Sequence, residues 1–330
     1  MYVSRYSNDD NHTSDIEVLV VGVGGGGNNS INRLSRIGVF GAETIAVNTD
    51  REHLQNIQAD TKMLIGKNIN RGLGTGGNPA IGAECAEAAY GGLKSLFKNT
   101  DLVFITAGMG GGTGTGAAPI IAEVARRNGA MVITIVTMPF TVERNRKKVA
   151  YNGIKRIKDY SNSTIILDND KLIEVVPDLP VDQAFGVLDA LISDLIKNIT
   201  EIITLPSLIN LDFNDIKSVL GNGGVSTLMT GESNIQEPEK AVKEATENPF
   251  LNADYSGAKK ALIHLTGGPD LSISKMNKVV EMMTSQLDPN ANVIFGARVD
   301  AECKNKIRLM SIVTGLKKKK EKKRGLSSLI

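Results

Sequence analysis

The segment Gly108-Met109-Gly110-Gly111-Gly112-Thr113-Gly114-Thr115-Gly116 decides the reading of this chain. Directly before it runs Leu102-Val103-Phe104-Ile105-Thr106-Ala107, an apolar stretch of strand length. After it comes a helical pattern, expected over Pro119–Asn128 with Pro119 at a helix start. Glycine lets backbone N–H groups approach a ligand with no Cβ in the way. A helix N-terminus adds free N–H donors and a positive dipole end. Strand, glycine run and helix together make an anion cradle. A plain turn does not require this run, which is costly in backbone entropy, and its two threonine hydroxyls add donors for phosphate oxygens.

Two more glycine loops lie outward from it. Gly22-Val23-Gly24-Gly25-Gly26-Gly27-Asn28-Asn29 follows the apolar Val18–Val21, and Gly72-Leu73-Gly74-Thr75-Gly76-Gly77-Asn78-Pro79 precedes another helical stretch. The three loops hold 15 of the 34 glycines. The first also matches the dinucleotide fingerprint G-x-G-x-x-G, with Asp50 near the end of the next strand. That match fits an NAD(P) oxidoreductase as well, but such a reading leaves the other two loops idle. No GxxxxGK[ST] motif is present, and no loop contains Lys or Arg. A triphosphate held here depends on amides, hydroxyls and a divalent cation, for which Mg²⁺ is expected. Asp50 in Asn48-Thr49-Asp50 either holds the water shell of that ion or caps a helix.

Around the loops, short apolar runs alternate with helical patterns. Val18–Val21, Ile45–Val47, Met63–Ile65, Leu102–Ala107, Met131–Val136 and Thr164–Leu167 read as strands covered on both faces. Asn29–Ile37, Ile81–Phe97, Pro119–Asn128 and about Arg146–Tyr160 read as helices. This is βαβ alternation, hence a doubly wound α/β domain with a mainly parallel sheet. A long helix, Val181–Thr204, is apolar on more than one side and is expected to join two domains, with Pro206 ending it. A second, smaller α/β domain is expected from Ala261–Leu265, Ser272–Leu287, Val293–Arg298 and Arg308–Val313, with Glu232–Glu247 as a loop and an exposed helix. The expected division is a disordered tail 1–15, a nucleotide domain 16–180, the helix 181–205, a second domain 206–316 and a basic tail 317–330.

Composition narrows the function classes. The chain has 330 residues, 41% hydrophobic and 22% charged, and it lacks Trp. Cys85 and Cys303 are far apart in sequence and three histidines offer no zinc spacing, so a reduced, cytoplasmic protein without transition metals is expected. Net charge is +2, yet residues 317–324 alone carry +6, leaving the remainder at −4. An acidic body argues against nucleic acid binding.

The segment from Phe104 through Pro119 resembles the signature of the tubulin/FtsZ superfamily, on the FtsZ side of it. So do Gly24 to Asn29, Asn48-Thr49-Asp50, Gly72 to Pro79, Pro139-Phe140 with Glu143, and Asn210-Leu211-Asp212-Phe213-Asn214-Asp215. The similarity spans about residues 16–316. It implies a GTPase that binds GTP and GDP with Mg²⁺ and polymerises head to tail at the division site. By resemblance Gly25, Gly26, Gly27, Gly110, Gly111, Gly112, Thr113 and Gly114 form the phosphate-binding loops, and Asn48, Gly108 and Thr115 also belong to the nucleotide site. Thr75 and Gly76 sense the γ-phosphate, and Glu143 takes the ribose hydroxyls. Asn29 and Asp189 read guanine, whose N1–H and N2 donors suit an acceptor-only carboxylate. Phe185, one helical turn before Asp189, lies on the base or else belongs to the core.

The resemblance also implies that Asn210, Asp212 and Asp215 act in trans, one subunit's carboxylates polarising water at its neighbour's γ-phosphate. Asp212 can equally cap a helix running through Leu220. A relative that binds GTP without hydrolysing it is the less favoured alternative. The chain departs from the family pattern at Arg144, where Gly is usual, and Arg146 or else Lys147 fills the family's arginine. Thr75 and Gly77 replace the commoner alanines. A membrane-tethering division adaptor is an expected partner of the C-terminal tail through Leu326, Leu329 and Ile330, which otherwise form a frayed end.

Overall fold

The structure, a computed structural model, describes residues 16–205, 207–221, 226–248, 250 and 255–314. The expectations for the tails 1–15 and 317–330 and for Pro206 lie outside the described residues.

The N-terminal part contains β1 (Val18–Val23), α1 (Gly24–Ile37), β2 (Glu43–Asn48), α2 (Arg51–Gln55), β3 (Thr61–Leu64), α3 (Lys67–Asn70), α4 (Pro79–Ala88) and α5 (Tyr90–Leu96). It continues with β4 (Leu102–Gly108), α6 (Thr113–Arg127), β5 (Met131–Met138), α7 (Asn145–Lys158), β6 (Ser163–Asp168) and α8 (Asp170–Val175). The long α9 (Val181–Thr204) follows. Then come α10 (Phe213–Leu220), β7 (Thr227–Asn234), α11 (Pro238–Glu247), β8 (Lys260–Gly267), α12 (Ile273–Thr284), β9 (Asn292–Val299) and β10 (Lys306–Thr314).

The first sheet has the order β3-β2-β1-β4-β5-β6, and every pairing in it is parallel. Its direction of growth reverses between β1 and β4, which places a crevice at their C-terminal ends. All six residues of β1 are buried, as a strand covered on both faces requires. One face packs with α4, α5, α6 and α7, through residues such as Cys85, Phe97, Ile121 and Ile154. The other face packs on α1 and α9, and this core continues unbroken through Leu188, Ile196 and Ile203 to Leu262 and Ile312 of the second sheet. That sheet, β7-β10-β8-β9, is mixed: β10 is antiparallel to both neighbours and β8 is parallel to β9. Its far face is covered by α11 and α12. A fold of this class, α/β with a parallel sheet, a long connecting helix and a smaller second sheet, is what the alternating pattern predicts.

Three local expectations are corrected. Pro119 does not begin a helix, because α6 starts six residues earlier and carries Pro119 inside. Glycine makes this early start feasible: a Cβ on Gly116 would fall 2.0 Å from the carbonyl of Pro79, so α6 lies directly on α4. Ile81–Phe97 is two helices, divided at Ala89. Glu232–Glu247 is not a loop with an exposed helix. Its first residues belong to β7, whose polar Glu232 and Ser233 hide the strand pattern, and α11 buries Ala241, Val242 and Ala245. Gly231 has no room for a Cβ, which would meet the Ala241 carbonyl at 2.0 Å.

Candidate functional site

At the crevice between β1 and β4 lies a cavity of about 410 Å³, a size suited to a small-molecule ligand. The β1–α1 junction contributes Gly25, Gly26, Asn29 and Ser30 to its lining. The β4–α6 junction contributes Gly108, Gly111, Gly112, Thr113 and Gly114, and the second glycine loop contributes Thr75. Glu143 and Arg146 enter from the segment after β5, and Phe185 and Asp189 from α9. Residues far apart in sequence, predicted to serve one nucleotide, thus share one wall.

The glycines divide into two groups. Gly111 has open space where its Cβ would be, and Gly25 meets only His53 Nε2, at 3.8 Å. These line the cavity. Gly27, together with Gly112 and Gly114, which also line the cavity, is required by packing: a Cβ would fall 2.2 Å from the Thr106 carbonyl, 1.9 Å from Thr75 Oγ1 and 2.4 Å from the Gly108 carbonyl, respectively. Only Gly24 (φ +72°) and Gly110 (φ +98°) among the glycines of these two junctions adopt the left-handed region. The run is therefore explained more by close approach between neighbouring segments than by turn geometry. The two threonines also hold the loops together. Thr113 Oγ1 lies 2.7 Å from Thr49 Oγ1, and Thr115 Oγ1 accepts from the Gly110 N–H at 2.8 Å.

Gly27, Asn48, Asp50, Gly76, Gly110 and Thr115 do not line the cavity. Asn48 Oδ1 accepts from the N–H groups of Thr49 (2.9 Å) and Asp50 (3.3 Å), shaping the turn after β2. Asp50 caps α2 through Oδ1, which accepts from His53 N at 3.0 Å. Its Oδ2 is not used in that cap. Among the described residues no group of three His, Cys, Asp or Glu side chains could hold a metal ion. Asp50 Oδ2, left out of the cap, is the carboxylate oxygen that a water ligand of a divalent cation would use.

The end of the cavity lined by Glu143, Arg146, Phe185 and Asp189 is held by internal bonds. Glu143 Oε1 accepts from Phe140 N at 2.9 Å, and Oε2 accepts from Arg146 at 2.6 Å. Lys147, the alternative to Arg146, is held elsewhere: its ammonium donates to Asp170 Oδ2 at 2.7 Å and to Thr141 Oγ1 at 2.6 Å. Burial works against ionisation of Asp170, but the bonds from Lys147 and Thr141 outweigh it and lower the pKa to about 2. Phe185 stands edge-on to Phe140, with ring centroids 5.8 Å apart, and remains 39% exposed. That exposure favours a ring face offered to the cavity over core packing. Asp189 is pushed up by burial and restrained by a bond from Ser30 and the field of Arg33.

Sequence reasoning missed Ser30 and Asn169. Asn169 lines the cavity, is buried, and has an Oδ1 with no hydrogen-bond partner, which marks it as a further acceptor for a ligand. Its only sequence signal is a polar pair, Asn169-Asp170, at the end of a strand.

Asn210, Asp212 and Asp215 are absent from the cavity lining. Asp212 is the N-cap of α10 and forms a reciprocal capping box with Asp215. Asn210 Oδ1 accepts from Ser207 N at 2.7 Å. A larger cavity of about 900 Å³ lies between α9 and the second sheet, but none of the predicted site residues lines it. Its Arg298 is paired with Glu201 at 3.1 Å. No helix among the described residues is long and apolar enough to cross a membrane.

A parallel sheet with glycine loops at its switch point, a cavity there and a long helix leading to a second sheet defines a nucleotide-binding protein of the tubulin-like class. Residues 17–177 match the Tubulin/FtsZ family, GTPase domain, and residues 224–317 match the FtsZ family, C-terminal domain. The chain is 51% identical over 318 residues to Cell division protein FtsZ 2 of Methanocaldococcus jannaschii, covering 95% of this chain and 83% of that protein. It is 46% identical to Cell division protein FtsZ 1 of Pyrococcus furiosus, over 91% of this chain and 81% of the relative. A solved FtsZ dimer, empty, from M. jannaschii superimposes with a TM-score of 0.85 at 43% identity, covering 92% of this chain and 89% of that one. CetZ2 of Haloferax volcanii, solved as a GTPγS-bound protofilament, has a TM-score of 0.80 at 19% identity over 92% and 94% of the two chains, a likeness of fold. The chain belongs to the FtsZ family of tubulin-like cell-division GTPases. It binds GTP and GDP and hydrolyses GTP, so the oxidoreductase reading of Gly22 to Gly27 is set aside.

Proposed function

We propose that GTP occupies the 410 Å³ cavity and that hydrolysis is completed by a second copy of the chain in a head-to-tail filament that builds the division ring. Asn29, Asp189 and Phe185 take the guanine, and Glu143 takes the ribose hydroxyls. Gly25 to Gly27, with the Gly108–Thr115 loop, Asn48 and Arg146, surrounds the phosphates. Thr75 and Gly76 lie at the γ-phosphate. A bound Mg²⁺ would supply charge neutralisation there, and Asp50 is the residue that would hold it through water. The same reading divides the chain into a GTP-binding domain, 16–180, the helix 181–205 and an activation domain, 206–316, and sends the protein to the division site.

One observation carries the proposal. Asn29, Phe185 and Asp189 for the base, Glu143 for the ribose, and Gly25, Gly26, Thr75, Gly111 and Arg146 for the phosphates line one cavity, while Asn210, Asp212 and Asp215 do not line it. This separation supports a reading in which the nucleotide held by one copy meets Asp212 and Asp215 of another. Asp212 and Asp215 of one copy approach the γ-phosphate of the next, orient a water in line and accept its proton. Phosphoryl transfer demands chiefly this positioning and charge neutralisation. Assembly thus precedes hydrolysis, and loss of the γ-phosphate weakens the contact between copies. Membrane attachment through an adaptor on the C-terminal tail belongs to the same reading.

Light scattering tests it directly. GTP with Mg²⁺ gives a rise that decays as GTP is consumed, whereas GDP or added EDTA suppresses it. A sample that stays monomeric and inert with GTP and Mg²⁺ well above micromolar concentration overturns the proposal, and one that assembles without turnover supports the non-hydrolysing alternative.

A further inference from the structure

Asp189 is not alone at the base end of the cavity. Ser30, on the first turns of α1, is 3% exposed, and its hydroxyl donates to Asp189 Oδ1 at 2.6 Å. Among the described residues its other acceptor, the Gly26 carbonyl, is at 3.5 Å, so the single hydroxyl proton belongs to the carboxylate. From the other side, Ser193 Oγ donates to the Asp189 main-chain carbonyl at 2.7 Å. Both Ser30 and Asp189 line the cavity. From these contacts we infer that Ser30 is a positioning residue for guanine recognition, fixing the Asp189 carboxylate so that its remaining lone pairs face the N1–H and N2 amino donors of the base. The inference rests on the assignment of Asp189 as guanine reader.

A free carboxylate rotates, and in a half-buried site it also tends to take up a proton. A protonated Asp189 presents an O–H toward two donors, and buried polar groups left mismatched discriminate strongly against binding. The Ser30 bond stabilises the charged form and opposes the desolvation that disfavours it. Arg33, on the same face of α1, acts in the same direction. Glu143 and Arg146 across the cavity are paired with each other. Ser30 is thus the neutral group in direct contact that orients Asp189 and favours its charged form.

The test compares Ser30→Ala, Ser30→Thr and Asp189→Ala by equilibrium binding of GDP and of inosine diphosphate, which lacks the 2-amino group, between pH 5.5 and 8. Ser30→Ala is expected to lower the GDP-over-IDP affinity ratio by roughly three- to tenfold at pH 7, as loss of a bond to a charged group implies. It is also expected to shift the acid-side loss of GDP affinity to higher pH. Ser30→Thr, which keeps the hydroxyl, restores both. Should the threonine methyl prevent folding, the alanine ratio and pH profile decide alone. A Ser30→Ala protein with the parent ratio and the parent pH profile overturns the role of Ser30, while loss of the ratio in Asp189→Ala leaves the guanine reader standing. An unchanged ratio in Asp189→Ala removes the reader itself, and the Ser30 inference with it.

Discussion

Asp212 and Asp215 each accept a hydrogen bond from the other's main chain: Asp215 N donates to Asp212 Oδ1 at 2.8 Å, and Asp212 N donates to Asp215 Oδ2 at 3.0 Å. The carboxylates assigned to hydrolysis therefore also start α10, and the two roles can be separated. Asparagine caps a helix as well as aspartate does. Asp212→Asn is expected to keep the parent's melting temperature and GTP binding while losing turnover. Asp212→Ala is expected to lose turnover and also about 1 kcal/mol of stability. Filaments of both variants persist longer in light scattering, since their GTP is not consumed. Parent-like turnover in Asp212→Asn would remove the charge of Asp212 from the mechanism.

Arg146 and Lys147 are neighbours with opposite assignments. Arg146 lines the cavity, whereas Lys147 is tied to Asp170. Arg146→Ala is expected to weaken GTP affinity about tenfold, or ~1.4 kcal/mol, with little change in stability. Lys147→Ala leaves affinity near the parent's and lowers the urea midpoint, because Asp170 loses its cation. The lost stability is that present above the ordinary carboxylate range and lost as pH falls toward about 2, the folded pKa of Asp170. The reverse pattern, with affinity lost only in Lys147→Ala, would exchange the two assignments.

Arg144 holds φ +41° and ψ −90°, a conformation that side chains with a Cβ rarely adopt. Glycine adopts such a conformation without a Cβ penalty, and strain of this kind costs about 1–3 kcal/mol. Arg144→Gly is expected to raise the melting temperature by a few degrees. Calorimetry on the two proteins checks this, and a lower melting temperature would show that the arginine side chain stabilises more than its backbone costs.

His264 lies in β8 and is buried, with no hydrogen-bond partner for Nε2. Burial, and then the positive field of Arg298, lowers its pKa from 6.5 to about 4. The unfolded chain thus binds a proton that the folded chain refuses. Stability from this group is complete above pH 6.5 and declines as pH falls toward 4, by at most about 3 kcal/mol. His264→Leu is expected to flatten the pH dependence of the urea midpoint across that window. An equally steep dependence in the variant would assign the acid sensitivity to other groups.

Much of the first domain was legible because its strands are continuously apolar. Val18–Val21 and Leu102–Ala107 can only be covered on both faces, and the loops after them fall at the strand ends. β7 was not legible, because Glu232 and Ser233 sit in it and Gly231 is there for the passage of α11. The start of α6 was misread because Pro119 is a strong local signal for a first turn, while the reason for an earlier start is contact with α4. The alternatives left open for Phe185 and Asp50 turn on exposure and on hydrogen-bond partners. Neither property is carried by residue type.

From the sequence alone came the α/β class, the long helix at Val181–Thr204 and the kind of ligand, since these depend on local periodicity and on glycines placed where strands end. Tertiary structure alone decided which glycines line the cavity and which make room for a neighbouring segment, Gly112 and Gly114 doing both. It also brought Ser30 to Asp189 across 159 positions of chain and directed Arg146 inward while Lys147 turned to Asp170. Contacts of that kind arise from packing between distant segments, and no local pattern of residue types encodes them.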